Sequence, residues 1–132
     1  MIVTEVESFV CKVPVGEKAA AHGVRPEIGV TRVKTDAGII GYEFYTTPAR
    51  HLALARRIVV GQDPHHIERF LKQGLERCPA VETALWDIIG KAASAPIKNL
   101  MGGDKDRIAC YLTCVWPGPA DQSGVTYETQ AE

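Results

Sequence analysis

The sequence predicts an α+β fold, a three-stranded antiparallel meander followed by a three-helix bundle, and three observations carry that reading. Apolar–polar alternation rich in β-branched residues occupies positions 2–45, helical periodicity with Pro at its starts occupies 47–101, and the two regimes do not interleave. A further run of strand character, 108–116 (within RIACYLTCVWP, 107–117), returns after the helices and finds no partner strand in the sequence.

The elements follow in order. Residues 2–15 (IVTEVESFVCKVPV) alternate, with a change of phase near Val6 that suits a bulge. A second alternating run, 28–35 (IGVTRVKT), joins a third, 39–45 (IIGYEFY), through Asp36-Ala37-Gly38. Asp initiates the turn and Gly38 accepts the positive φ of a short hairpin loop, so these two strands are expected to be antiparallel neighbours.

The period changes at Thr47, expected to cap a helix that has Pro48 at its first position and stops at Gly61. Asp63-Pro64 repeats the signal for a second helix, on which Ile67, Phe70, Leu71 and Leu75 share a face. Pro79 opens a third, along which Val81, Ala84, Leu85, Ile88, Ile89 and Ala92 fall at intervals of three and four. Pro96 ends it, 97–101 forms a single turn, and Gly102-Gly103 breaks the chain direction. In the polar tail, Ser123 or Thr126 can cap a helix starting at Tyr127.

Composition excludes several classes. With 132 residues, roughly two thirds of the unfolded surface can be buried. A formal net charge of -1 and a single adjacent basic pair, Arg56-Arg57, give no footprint for nucleic acid. No apolar run reaches membrane-helix length, and Glu5 and Glu7 stand where a signal peptide would be apolar. The scattered Cys11, Cys78, Cys110 and Cys114 match neither a zinc nor a redox spacing and read as reduced thiols of a cytoplasmic protein.

Four segments then occur in order: VKTDAGIIGYE (33–43), VVGQDPHHIE (59–68), AVETALWDIIGKAASAPIKNLMGG (80–103) and DRIACYLT (106–113). Over residues 1–116 the chain resembles the amino-terminal capping region of the mandelate racemase and muconate-lactonizing branch of the enolase superfamily. The resemblance implies a capping domain at 1–105. It assigns 106–132 as the start of a barrel domain, with 108–116 the orphan first strand of a (β/α)7β barrel whose remainder is missing. It also implies the parent chemistry, which is abstraction of a proton α to a carboxylate with Mg²⁺ holding the enediolate, in a sugar-acid dehydratase or racemase. In such enzymes the metal ligands and bases lie on later barrel strands. No catalytic residue and no metal ligand therefore transfers to these 132 residues, which are expected to be inert alone.

The resemblance places two substrate-lid candidates. The loop 16–29 (GEKAAAHGVRPEIG) offers Lys18, His22 and Arg25 to an anionic or polyhydroxylated acid. The segment GYEFYTTP offers Tyr45 and Thr46, although Glu43 and Phe44 stand where the family shows glycine and then an acid.

Other polar clusters read as structural. His65 and His66 are about 100° apart on a helix and cannot converge on one ion. Cys110 and Cys114 lie too far apart along a strand to bridge. Glu82 and Asp87 do not share a helix face, while Asp87 and Lys91 suit a solvated or interdomain ion pair. Trp86 is placed to anchor its helix to a neighbour, and Trp116 to pack beneath the capping domain or open into the active site. The competing reading is a non-enzymatic product of a truncated gene that self-associates through the 108–116 strand; a lysine-bearing strand encoded beyond Glu132 would favour the enzyme, and a stop codon the rival.

Overall fold

The computed structural model describes residues 1–17 and 26–110. The chain divides into two units, residues 1–13 with 27–104, and residues 14–26 with 105–132; the first carries the sheet and the helices named below.

Three strands, β1 (Val3–Lys12), β2 (Glu27–Thr35) and β3 (Ile40–Glu43), form an antiparallel sheet in the order β1-β2-β3. The expected bulge lies between Val3 and Glu5, slightly before the phase change in the sequence. The extra residue lets Val3 and Val6, both 1% exposed, face the same core despite odd spacing. The hairpin closes as expected: Gly38 adopts a φ of 75°, and the Thr35 N–H and hydroxyl both donate to the Ile39 carbonyl, at 3.2 and 2.8 Å.

The helices are α1 (Ala49–Val59), α2 (Ile67–Lys72), α3 (Pro79–Ala93) and the single turn α4 (Ile97–Leu100), with a 3-10 turn at Leu75–Arg77. Two expected starts differ. Thr47 does not cap α1, because Pro48 holds the cap position and the Thr47 hydroxyl is engaged with Thr31. Asp63 does not start α2 either: its carboxylate accepts the His65 N–H at 3.0 Å, and this local turn delays the helix to Ile67. Gly74, with a φ of 106°, ends that helix and hands Leu75 to the 3-10 turn, where it is still fully buried.

Helix α3 is the centre of the domain. Val81, Ala84, Leu85 and Ile88 are each 0% exposed, and the helix lies so close to β3 that a Cβ on Gly41 would sit 2.0 Å from the Ala84 carbonyl oxygen. Phe70, Val59, Ala55 and Cys78 complete the core beside them. Ala92 falls on the expected stripe but is exposed. The helix ends at Ser94 in the left-handed conformation (φ 50°), with the Ala95 N–H returning to the Gly90 carbonyl at 3.1 Å.

Among the described residues no helix is long and apolar enough to cross a membrane. Of the expected strand 108–116, positions 111–116 lie outside the described residues, as do Cys114, Trp116 and the tail helix; 108–110 are exposed and carry no strand.

Candidate functional site

The segment after β3 is built in an unusual way for a connection. The sequence expects β3 to run to Tyr45, yet the strand stops at Glu43. The reason lies on the sheet face beneath it. Gly29 on β2 has no side chain, and Thr46 crosses there: a Cβ on Gly29 would meet the Thr46 methyl at 2.6 Å and its backbone nitrogen at 2.8 Å. The chain therefore leaves the edge and folds across the sheet.

Three side chains hold it down. Ser8 and Thr31 are cross-strand partners on β1 and β2. The Thr31 hydroxyl donates to the Tyr45 carbonyl at 2.7 Å. Its single proton is thereby committed, so the 2.9 Å contact with the Thr47 hydroxyl is donated by Thr47. The Ser8 hydroxyl accepts the Thr47 N–H at 2.8 Å. Thr31 and Thr47 are buried, which makes these bonds structural anchors with little competition from water.

The backbone of 45–47 is thus fixed while its neighbouring rings are free: Phe44 is 67% and Tyr45 68% exposed. Tyr45 and Glu43 border a shallow depression of about 190 Å³ against Pro79, Ala80 and Thr83 of α3. Of the two expected lid residues here, Tyr45 presents its ring to the surface and Thr46 is half-buried against Gly29. Lys18, His22 and Arg25 lie outside the described residues. The anchors Ser8, Thr31 and Thr47 were not expected as site residues; for Ser8 and Thr31 the signal is polar side chains at facing positions on the sheet's inward face, where apolar ones belong, whereas Thr47 reads only as a cap.

The remaining clusters have structural duties. Asp87 and Lys91 pair on α3, and both also bind the backbone of β3: the Tyr42 N–H donates to Asp87 Oδ2 at 2.9 Å and Lys91 Nζ donates to the Ile40 carbonyl at 2.8 Å. The pair is the partly exposed i,i+4 ion pair the sequence expects, and it also ties helix to sheet. Glu82, five residues earlier on the helix, faces about 140° away from Asp87.

His65 and His66 are exposed, and His65 Nδ1 meets Asp63 Oδ1 at 2.7 Å. The backbone N–H of His65 and then its ring hold the Asp63 carboxyl below its ordinary range. Both histidines border a groove of about 520 Å³ lined also by Trp86, Ile89 and Leu100. On the outer sheet face the Arg32 guanidinium, and secondarily the Lys34 ammonium, hold the Glu7 carboxyl below the usual glutamate range. Among the described residues no three His, Cys, Asp or Glu side chains gather as an ion would require, so these residues do not fit a magnesium site.

Comparison with known proteins matches this architecture. Residues 6–102 match the family model for the mandelate racemase/muconate lactonizing enzyme N-terminal domain. A D-galactonate dehydratase family member from Streptomyces bingchenggensis is 35% identical over 100 aligned residues, covering 61% of this chain and 24% of that protein. A D-mannonate dehydratase from Rhizorhabdus wittichii is 33% identical over 100 residues, covering 61% of this chain and 25% of the relative. The chain spans about a quarter of the length of these curated relatives. A crystal structure from Labrenzia alexandrii DFL-11, assigned to the mandelate racemase/muconate lactonizing enzymes, superposes with a TM-score of 0.60 at 29% identity, over 78% of this chain and 30% of that one. With its family model matched over residues 6–102, the chain belongs to the mandelate racemase/muconate lactonizing enzyme N-terminal domain family of the enolase superfamily.

Proposed function

We propose that this chain is the substrate-capping domain of an enolase-superfamily enzyme acting on a sugar acid, with dehydration as the parent reaction and racemisation as the second outcome of the same proton abstraction. The observation that carries the reading is the strap: its backbone is fixed by Ser8, Thr31 and Thr47 while Phe44 and Tyr45 project into solvent. Such an element suits substrate selection, because a positioned aromatic ring loses little conformational freedom when a ligand arrives. The curated relatives named above support the substrate class.

Chemistry in this family implies Mg²⁺ in the parent enzyme, and the barrel is the place for its ligands. The role of this chain is positional: it holds the aromatic strap over the pocket, excludes water and contacts the end of the substrate remote from the carboxylate. Lys18, His22 and Arg25 belong to the same proposal as anion-facing partners on the neighbouring loop. The work would take place in the cytoplasm, with a barrel domain as the necessary partner.

Joining this chain ahead of the barrel of a D-galactonate dehydratase relative tests the reading. Tyr45→Ala is expected to change the ratio of kcat/KM between two epimeric sugar acids by roughly tenfold or more. The melting temperature should stay put, since the ring is exposed. An unchanged ratio in an active, folded fusion would contradict a substrate-facing strap.

A further inference from the structure

Strand β3 is an edge strand, and an edge normally leaves a row of backbone groups available to another chain. Only four residues long, Ile40–Glu43, it pairs with β2 on one side. The alternation of an antiparallel ladder turns the N–H and C=O of Ile40 and Tyr42 to the open side, where the Ile40 carbonyl and the Tyr42 N–H would serve as the docking points for an added strand.

Both of those groups are already occupied, and by one ion pair. Asp87 Oδ2 accepts from the Tyr42 N–H at 2.9 Å, as the carbonyl of a neighbouring strand would. Lys91 Nζ donates to the Ile40 carbonyl at 2.8 Å, as the N–H of that strand would, and it also lies 5.1 Å over the Tyr42 ring. The two side chains bind each other one helical turn apart. Gly41 makes the arrangement possible: lacking a Cβ, it lets the α3 backbone approach β3 closely enough for Asp87 and Lys91 to reach around the edge.

We propose that the Asp87–Lys91 pair is an edge plug, a side-chain imitation of a fourth strand that keeps β3 closed to pairing with β3 of a second copy of this chain. The partner is argued from symmetry. In an antiparallel pairing centred on Gly41, Ile40 of one copy faces Tyr42 of the other, so the two groups now held by Lys91 and Asp87 would bond each other reciprocally across the two-fold axis. The proposal is independent of any catalytic role, since its readout is molecular mass and not turnover.

The test compares the full chain with Asp87→Ala/Lys91→Ala by light scattering on a sizing column across a concentration series. The expected result is a concentration-dependent doubling of the mass of the parent species in the double variant, with unchanged helical circular dichroism. Adding Tyr42→Pro to that background removes the outward N–H while leaving the β2 side of the strand intact, and should return the mass to the parent value. That rescue separates edge pairing from general loosening of α3. If the double variant unfolds, Asp87→Ala/Lys91→Met serves instead, because it keeps the apolar stem of residue 91 yet frees both the Tyr42 N–H and the Ile40 carbonyl; it should associate in the same sense. Parent mass in a folded double variant of either kind, or association that Tyr42→Pro does not reverse, would overturn the proposal.

Discussion

Gly41 is where a single methyl group would be felt most. Its Cβ would lie 2.0 Å from a helix backbone oxygen and 2.8 Å from Ile88, and neither the helix nor that buried side chain has room to retreat. Gly41→Ala is therefore expected to lower unfolding stability by about 2–3 kcal/mol, measured by urea titration. At Gly38 no atom lies within 4 Å of the added carbon, so Gly38→Ala meets only the strain of a φ of 75° and should cost about 1 kcal/mol. A smaller drop at Gly41 than at Gly38 would contradict the close approach. Burial pushes the Cys78 thiol up in pKa, and its Sγ donates to the His51 carbonyl at 3.2 Å. Cys78 should resist alkylation in the folded chain and react only on opening, whereas exposed Cys110 reacts at once; mass spectrometry after a brief pulse of reagent separates them. Single residues were unevenly legible in the sequence. Gly38 announced itself through its Asp-Ala-Gly turn, but the Thr47 hydroxyl could be read only as a cap, because its true partner, Thr31, is sixteen positions away.

Among the elements, α3 was legible from its start at Pro79 to its end near Pro96, since periodicity, a proline start and a stop signal agree over fifteen residues. Ser94 in its left-handed cap is the weak point. Ser94→Gly should stabilise the domain by about 0.5–1 kcal/mol, visible as a higher urea midpoint, and a loss of stability would show that the serine makes a contact worth more than the relief of strain. The end of β3 was not legible, because what stops it is the crossing of Thr46 over Gly29, a contact between segments that pattern alone does not bring together. The start of α2 was displaced by a short-range competitor, the Asp63 carboxylate turned back on the His65 N–H. On the outer sheet face, Glu7 bonded to Arg32 gives a pH prediction. Its pKa is lower folded than unfolded, so its contribution is whole above the ordinary glutamate range and is lost as pH falls through the depressed folded value. Glu7→Gln should accordingly flatten the acid limb of the stability curve while leaving the shape above that range alone; an unchanged acid limb would remove Glu7 from it.

At the scale of the molecule, the sheet and helices form a platform, and several of its charged groups hold it together. Asp87 and Lys91 close a sheet edge, Glu5 and Glu7 answer Lys34 and Arg32, and Asp63 is bound to His65. On the fixed strap Phe44 and Tyr45 face outward, the surface that the proposed reading uses to shape a pocket. The α+β order was legible because strands and helices occupy separate stretches of sequence; the strap was not, because a site made of Ser8, Thr31 and Thr47 exists only once three distant segments meet. The measurement that bears most directly on this account is calorimetric titration of Mg²⁺, and then of D-galactonate with Mg²⁺ present, into the purified 132-residue chain, with dehydration assayed in the same sample. The account predicts heats of dilution only and no turnover. Saturable binding of one Mg²⁺ per chain, or any release of product, would contradict it by placing the reaction centre within the capping domain itself.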